Sequence, residues 1–264
     1  MPEFIDQLKR KVVLSSSPVR IISLVPSQTE LLYDLGLREE VIGITKFCIH
    51  PEEWFRAKPR VGGTKKINFE KIQALKPDLI IGNKEENDQS QIEELMKHYP
   101  VWMSDIKNLD DALNMIEEIG ELVNKKNEAI EISEEVRLRF DNLKLRTLNL
   151  KQPSVAYLIW QDPLITIGSD TFIHDMLSRC AFTNVFSDQK RYPEIKKEDL
   201  KRHQPELILL SSEPYPFKEK HREEFQSICP RSTVLLVDGE LFSWYGSRLL
   251  KSPGYFHSLV NKIR

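Results

Sequence analysis

Long apolar runs are missing from this chain. Charged residues interrupt every candidate, so none reaches the roughly 18 to 20 consecutive apolar residues that a membrane-spanning helix needs. The N-terminus, MPEFIDQLKRKVVLSSSPVR, places lysines after its apolar residues and has no apolar core of about seven residues before a small-residue cleavage site, so no export signal is expected. Cysteine is scarce: Cys48, Cys180 and Cys229 lie far apart without a CxxC pair, which argues against a disulfide framework and a cysteine zinc site. A basic surplus is lacking as well, because 38 Lys plus Arg against 40 Asp plus Glu leave a formal charge of −2 and nothing to neutralise a nucleic-acid backbone. No GxGxxG, Walker, HExxH or nucleophile-elbow sequence occurs, so the usual dinucleotide, nucleoside-triphosphate and hydrolase signatures give no support.

What is present is a repeat. Residues 70–81 read EKIQALKPDLII and residues 198–209 read EDLKRHQPELIL, so a charged helix, a proline and an apolar strand recur 128 residues later. In each copy a glutamate stands seven residues before the proline (Pro77, Pro205), which stops the helix and sends the chain into a short buried strand, Leu79 to Ile81 or Leu207 to Leu210. RIISLVPS (20–27) and VAYLIW (155–160) read as further β-runs with helices behind them, and Val101 to Met103 and Val234 to Val237 follow helical stretches. This order predicts an α/β protein of two Rossmann-like lobes with mainly parallel sheets, and 264 residues with 40% apolar content suffice for two cores. Residues 121–152 contain neither Gly nor Pro and carry apolar residues at helical spacing, which predicts a long rigid connecting helix. A pair of helices broken near Lys125 to Asn127 is the alternative. The expected division is an N-terminal extension (1–17), an N-terminal α/β lobe (18–107), a connecting helix (108–150) and a C-terminal α/β lobe (151–264).

The opening RIISLVPSQTELLYDLGL with VIGIT, followed by VGGTKKINFEKIQALKPDLIIG, resembles the helical-backbone (class III) substrate-binding proteins of ABC importers, which serve cobalamin, ferric siderophores and haem. The resemblance covers about residues 18 to 260. It implies a ligand held between the lobes and one acidic residue on each lobe that docks onto the membrane permease, at positions matching Glu70 and Glu198. The repeat reaches the same two glutamates independently, and a negative charge in the first helical turn also favours the helix dipole.

In a parallel α/β lobe, ligands meet the loops beyond the carboxyl ends of the strands. After VIGIT come Phe47, Cys48 and His50: Phe47 stands at about the place of an aromatic residue in cobalamin-binding members and is expected to stack on a flat ligand, while Cys48 and His50 could reach its metal. Trp160 closes the VAYLIW run, and Tyr192 matches a pocket tryptophan of the cobalamin-binding members. Trp244, Tyr245 and Arg248 crowd one seven-residue stretch, where the aromatics either line the pocket or staple the C-terminal helix, and Arg248 either meets a ligand carboxylate or caps that helix. Ser27 and Thr29 are expected to cap the helix after Val25. Thr64 and Asn83 stand where cobalamin-binding members carry tryptophans, which thins the aromatic lining of the first lobe and puts cobalamin itself in doubt.

The expected function is that of a substrate-binding protein: not an enzyme, with no catalytic residues, no covalent cofactor and no protein-bound metal. The expected ligand is cobalamin, haem or an iron chelate, and the expected partner is an ABC-transporter permease met by a monomer. Two alternatives are an intracellular tetrapyrrole-handling enzyme such as a metal chelatase, with His50 or His174 as base, and an interaction module with an empty cleft. The N-terminus by itself reads as cytoplasmic, whereas the resemblance implies the periplasm or cell envelope.

Overall fold

A computed structural model describes residues 2–263 and divides the chain into two compact units. The first holds the chain up to Ile106, then Asp110–Val136 and Tyr245–Arg248; the second holds Lys107–Leu109, Arg137–Trp244 and the chain from Leu249 on.

The first unit opens on a hairpin, β1 (Glu3–Ile5) and β2 (Lys11–Val13), whose turn is organised by the buried Asp6 carboxylate. Asp6 accepts the backbone N–H groups of Leu8 and Arg10 and the Arg10 guanidinium. Then follow β3 (Ile21–Ser23), α1 (Pro26–Asp34), β4 (Val41–Ile44), α2 (Glu52–Ala57), α3 (Phe69–Leu75), β5 (Leu79–Asn83), α4 (Gln89–Met96) and β6 (Val101–Ser104). The strands form one sheet in the order β4-β3-β5-β6, parallel throughout. Helices on both faces explain why β3 and β5 are buried at every position and read as unbroken apolar runs rather than alternating ones.

The stretch read as one connector is two helices, α5 (Leu109–Leu122) and α6 (Lys126–Thr147). The break is chemical as well as geometric. Asn124 takes the left-handed conformation (φ 57°), Lys125 N–H donates to the Gly120 carbonyl and Asn124 N–H to the Glu121 carbonyl, which is a Schellman closure with asparagine in the place usually taken by glycine. Chain reversal then brings α6 against α5 so closely that a Cβ on Gly120 would lie 2.2 Å from the Ala129 Cβ. Of the two helices, α6 begins in the first unit and ends in the second.

The second unit comprises β7 (Ser154–Gln161), β8 (Leu164–Thr166), α7 (Phe172–Arg179), β9 (Thr183–Asn184), α8 (Lys197–His203), β10 (Leu207–Ser211), α9 (Glu219–Ile228), β11 (Thr233–Val237), α10 (Gly239–Ser243) and α11 (Ser252–Ile263). Its sheet runs β11-β10-β7-β8, with β9 also paired to β7. The pairs β11–β10, β10–β7 and β7–β9 are parallel, whereas β8 returns antiparallel against β7.

The sequence repeat is a repeat of structure. The helices α3 and α8, their left-handed caps (Lys76 at φ 48°, Gln204 at φ 46°), the prolines Pro77 and Pro205, and the strands β5 and β10 keep the 128-residue offset at every boundary. Even the acid before each strand acts alike. Asp78 accepts the N–H groups of Val19 and Arg20 just ahead of β3, and Glu206 accepts that of Ser154 at the start of β7, so each carboxylate pins the neighbouring strand in register.

Candidate functional site

Because a helix between two parallel strands runs back against them, α3 and α8 begin at the carboxyl edges of their sheets. Glu70 and Glu198 occupy the second position of these helices, both are exposed, and among the described residues neither has an ion-pair or hydrogen-bond partner. Each unit thus presents, at the start of its repeated helix, an exposed carboxylate beside the loops in which ligands of parallel α/β sheets are held.

At the edge of the first unit, the loop after β4 is tied down by Lys46 N–H on the Gly62 carbonyl and by Val61 N–H on the Ile44 carbonyl. Gly62 turns the chain at φ 113°, where a Cβ would sit 2.5 Å from the Lys66 carbonyl oxygen. Phe47 projects from this loop with 51% of its surface exposed, and the Lys46 ammonium stands 4.9 Å from its ring centroid. Cys48 corrects the expectation placed on it: its side chain is fully buried within this unit, where its Sγ lies 3.1 Å from both the Thr29 and Thr45 hydroxyls. Burial pushes its thiol pKa up, so it is a packed thiol rather than a ligand to an incoming metal. His50 remains half-buried at the end of the same loop. Among the described residues no three His, Cys, Asp or Glu side chains converge on a point that could hold a metal.

Polar side chains brace the rest of this edge. Asn83, at the end of β5, donates to the Ser104 hydroxyl (2.9 Å) and accepts from the N–H groups of Glu85 and Glu86. Asn87 returns the favour to the Asn83 N–H (2.8 Å) and donates to the Thr64 carbonyl. The polar run after β5 is therefore an asparagine-locked loop, with Asn83 buried beneath it. The cap expected after Val25 is also different. Pro26 takes the first helical position, Val25 is the uncapped N-cap, and the Thr29 hydroxyl lies inside α1, bonded back to the Val25 carbonyl.

Arg248 is not available to a ligand carboxylate. It is 8% exposed and makes a bidentate pair with Glu30 of α1, both bonds 2.8 Å, across 218 residues of sequence but within the first unit. Tyr245 is 7% exposed in the same crossing segment. Gly246 allows that segment to lie on α1, since a Cβ there would approach the Ser27 carbonyl oxygen to 2.7 Å.

In the second unit, the β7–β8 ladder carries a bulge between Leu158 and Trp160, a device that re-aims a side chain. Trp160 is 38% exposed, its indole N–H bonded to the Asp162 carbonyl. Tyr192, also exposed, follows Arg191, which takes φ 59° with its N–H held by the Asp170 carboxylate; that bond keeps Asp170 below the usual carboxylate range. Trp244 corrects a further expectation: it is buried, and its indole N–H donates to Glu213 (2.8 Å), which also accepts from the Ser243 hydroxyl. It packs the unit and presents no face.

Three neighbours of these rings carry no sequence signal: Lys46 is a loop cation beside Phe47, and Tyr215 and His221 lie outside any motif, yet the Tyr215 ring meets Trp160 edge-on at 5.7 Å and the Tyr215 hydroxyl lies 3.2 Å from the His221 Nε2.

A family model described as periplasmic binding protein matches residues 21–228. The vitamin B12-binding protein of Pectobacterium carotovorum is 29% identical over 237 residues, covering 88% of this chain and 85% of that protein. Among solved structures, the periplasmic vitamin B12 binding protein of Vibrio cholerae superposes with a TM-score of 0.81 at 23% identity, covering 94% of this chain and 98% of that one. The periplasmic haem-binding protein RhuT of Roseiflexus sp. gives 0.77 at 18% identity, covering 93% and 99%.

Proposed function

The chain belongs to the periplasmic binding protein family, and from that premise we propose that it is the substrate-binding protein of an ABC importer that captures a corrinoid, haem or iron chelate and delivers it to a permease. The observation that carries this reading is the matched pair Glu70 and Glu198: two exposed carboxylates, without a partner among the described residues, at the same position of a duplicated helix–turn–strand. A lone acid in a first helical turn is explained by the helix dipole. Two of them, carried by both copies of one unit, suit a partner that has two basic sockets and is recognised through charge complementarity.

Ligand contact is assigned to three exposed aromatics, Phe47 of the first unit and Trp160 and Tyr192 of the second, with His50 in the same loop as Phe47. An accessible aromatic on each unit suits the faces of a macrocycle. Support for the ligand class comes from the relatives, named for vitamin B12 and haem. No observation favours the chelatase reading, and the function is binding rather than catalysis. Residence at the cell envelope follows from this role, and no helix among the described residues is long and apolar enough to cross a membrane.

The docking half is tested by permease ATPase or uptake assays with Glu70→Gln, Glu198→Gln and the double variant. Each single change is expected to weaken coupling by about tenfold and the double change to abolish it, with ligand affinity unaltered. A double variant that couples as well as the parent protein contradicts the proposal.

A further inference from the structure

We infer that His221 is a positioning residue for Trp160, acting through Tyr215, and that the ring's neutral form is the one that holds the aromatic site in place. The functional meaning rests on the reading of Trp160 as a ligand contact; the mechanical part does not.

Three contacts form the chain of support, all within the second unit. The Lys218 N–H donates to His221 Nδ1 at 2.8 Å, which forces the neutral ring to carry its proton on Nε2. That N–H then points at the Tyr215 hydroxyl, 3.2 Å away. The Tyr215 ring in turn meets Trp160 edge-on, and Phe217 closes the cluster from the other side, 4.8 Å from Tyr215 and 5.5 Å from His221 between centroids. His221 itself is buried at 5% exposure, whereas the Trp160 it supports is among the exposed aromatics of the molecule. A buried imidazole with both nitrogens used thus stands two contacts from an accessible indole.

Protonation reverses one of these bonds. A charged ring carries hydrogen on both nitrogens, so Nδ1 would confront the Lys218 N–H with another donor. The charged and titratable groups around the ring are Tyr215 and Lys218 on the segment before α9, and Lys220 and Glu224 on α9, where Glu224 is itself paired with Lys197 of α8 (2.5 Å). Burial and the two lysines outweigh Glu224 and hold the imidazole pKa below its ordinary value. The support is therefore complete above the ordinary histidine range and is lost as pH falls through the lowered value.

The bland role for His221 is a helix cap, since it is the third residue of α9 and accepts the N–H of the residue before the helix. His221→Asn separates the two roles, because an asparagine oxygen can take the Lys218 N–H but supplies no ring beneath Tyr215. Iodide quenching of Trp160 in ligand-free protein, isolated by subtracting the Trp160→Phe spectrum, reads the outcome between about pH 7.5 and 5. Wild-type protein is expected to show a rise in Trp160 quenching on acidification. His221→Asn is expected to raise the quenching constant about twofold at neutral pH and to abolish the pH response, with little change in unfolding midpoint. Tyr215→Phe, which keeps both rings and the cap, is expected to lose at least about half of the response. Quenching and pH response that match wild type in both variants overturn the proposal. Binding of hydroxocobalamin and haemin is measured alongside. If Trp160→Phe leaves both affinities unchanged while the quenching results hold, the ligand role of Trp160 falls and the positioning role of His221 stands.

Discussion

The two units share one scaffold and differ in how each finishes its carboxyl edge. In the first unit the sheet is wholly parallel, and polar side chains brace the edge: Asn83, Asn87 and Ser104 tie the loop after β5, and the Glu30–Arg248 pair fastens the segment that lies on α1. In the second unit an antiparallel strand is added to β7, and rings brace the edge: Trp160, Tyr215, Phe217 and His221 stack edge to face. The shared part, helix, left-handed cap, proline and strand, carries the candidate docking glutamate. The divergent part carries the candidate ligand contacts. A duplicated frame can thus keep two equivalent exposed carboxylates while the carboxyl edges of its two sheets are free to differ.

The contrast predicts where the molecule breaks. Arg248→Met should be the most destabilising of the changes considered, by about 3 to 5 kcal/mol in urea unfolding, since it strands the buried Glu30 carboxylate. A loss below about 1 kcal/mol would show that the pair is solvated and that polar bracing of the first unit is overstated. Asn83→Ala removes four hydrogen bonds beneath one loop and should cost about 2 to 3 kcal/mol; the matching change at the end of β10, Ser211→Ala, should cost about 1 to 2, because that hydroxyl serves mainly Tyr157 and Glu213. Equal losses would erase the distinction drawn between the two edges. Phe47→Ala and Trp160→Ala should each weaken chelate binding by about tenfold with small stability changes, read by equilibrium titration. An effect confined to one unit would mean that the ligand rests on that edge alone. The smallest effects are expected at the shared caps: Lys76→Gly and Gln204→Gly relieve left-handed backbone and should each stabilise by about 0.5 kcal/mol, equally in the two units.

Much of the frame was legible in the sequence. Buried parallel strands must be continuous apolar runs, so β5, β6, β7 and β10 stand out, the partly exposed edge strand β11 shows as an apolar run as well, and proline marks the repeat. The helix break was harder, because the stretch has neither Gly nor Pro and the signal was a single asparagine able to adopt the left-handed region. Lys76 and Gln204 gave no such hint, since neither residue type prefers that conformation. At the site, exposure could not be told from neighbours: Phe47 and Cys48 are adjacent, yet one faces out and the other is sealed between two threonines. Arg248 reads as a ligand contact or a helix cap because its partner lies 218 residues away, and Trp244 reads as pocket or packing because nothing in the chain announces Glu213 as its acceptor. Pairings made only by the tertiary fold are invisible to local pattern.

The central claim, that this protein holds a flat metal chelate against aromatic side chains, is tested most directly by titrating the purified protein with hydroxocobalamin, haemin and a panel of ferric siderophores while following tryptophan emission. The account predicts saturable quenching at one ligand per chain by at least one of them, much reduced by Trp160→Phe. An absence of binding to every member of the panel would contradict it.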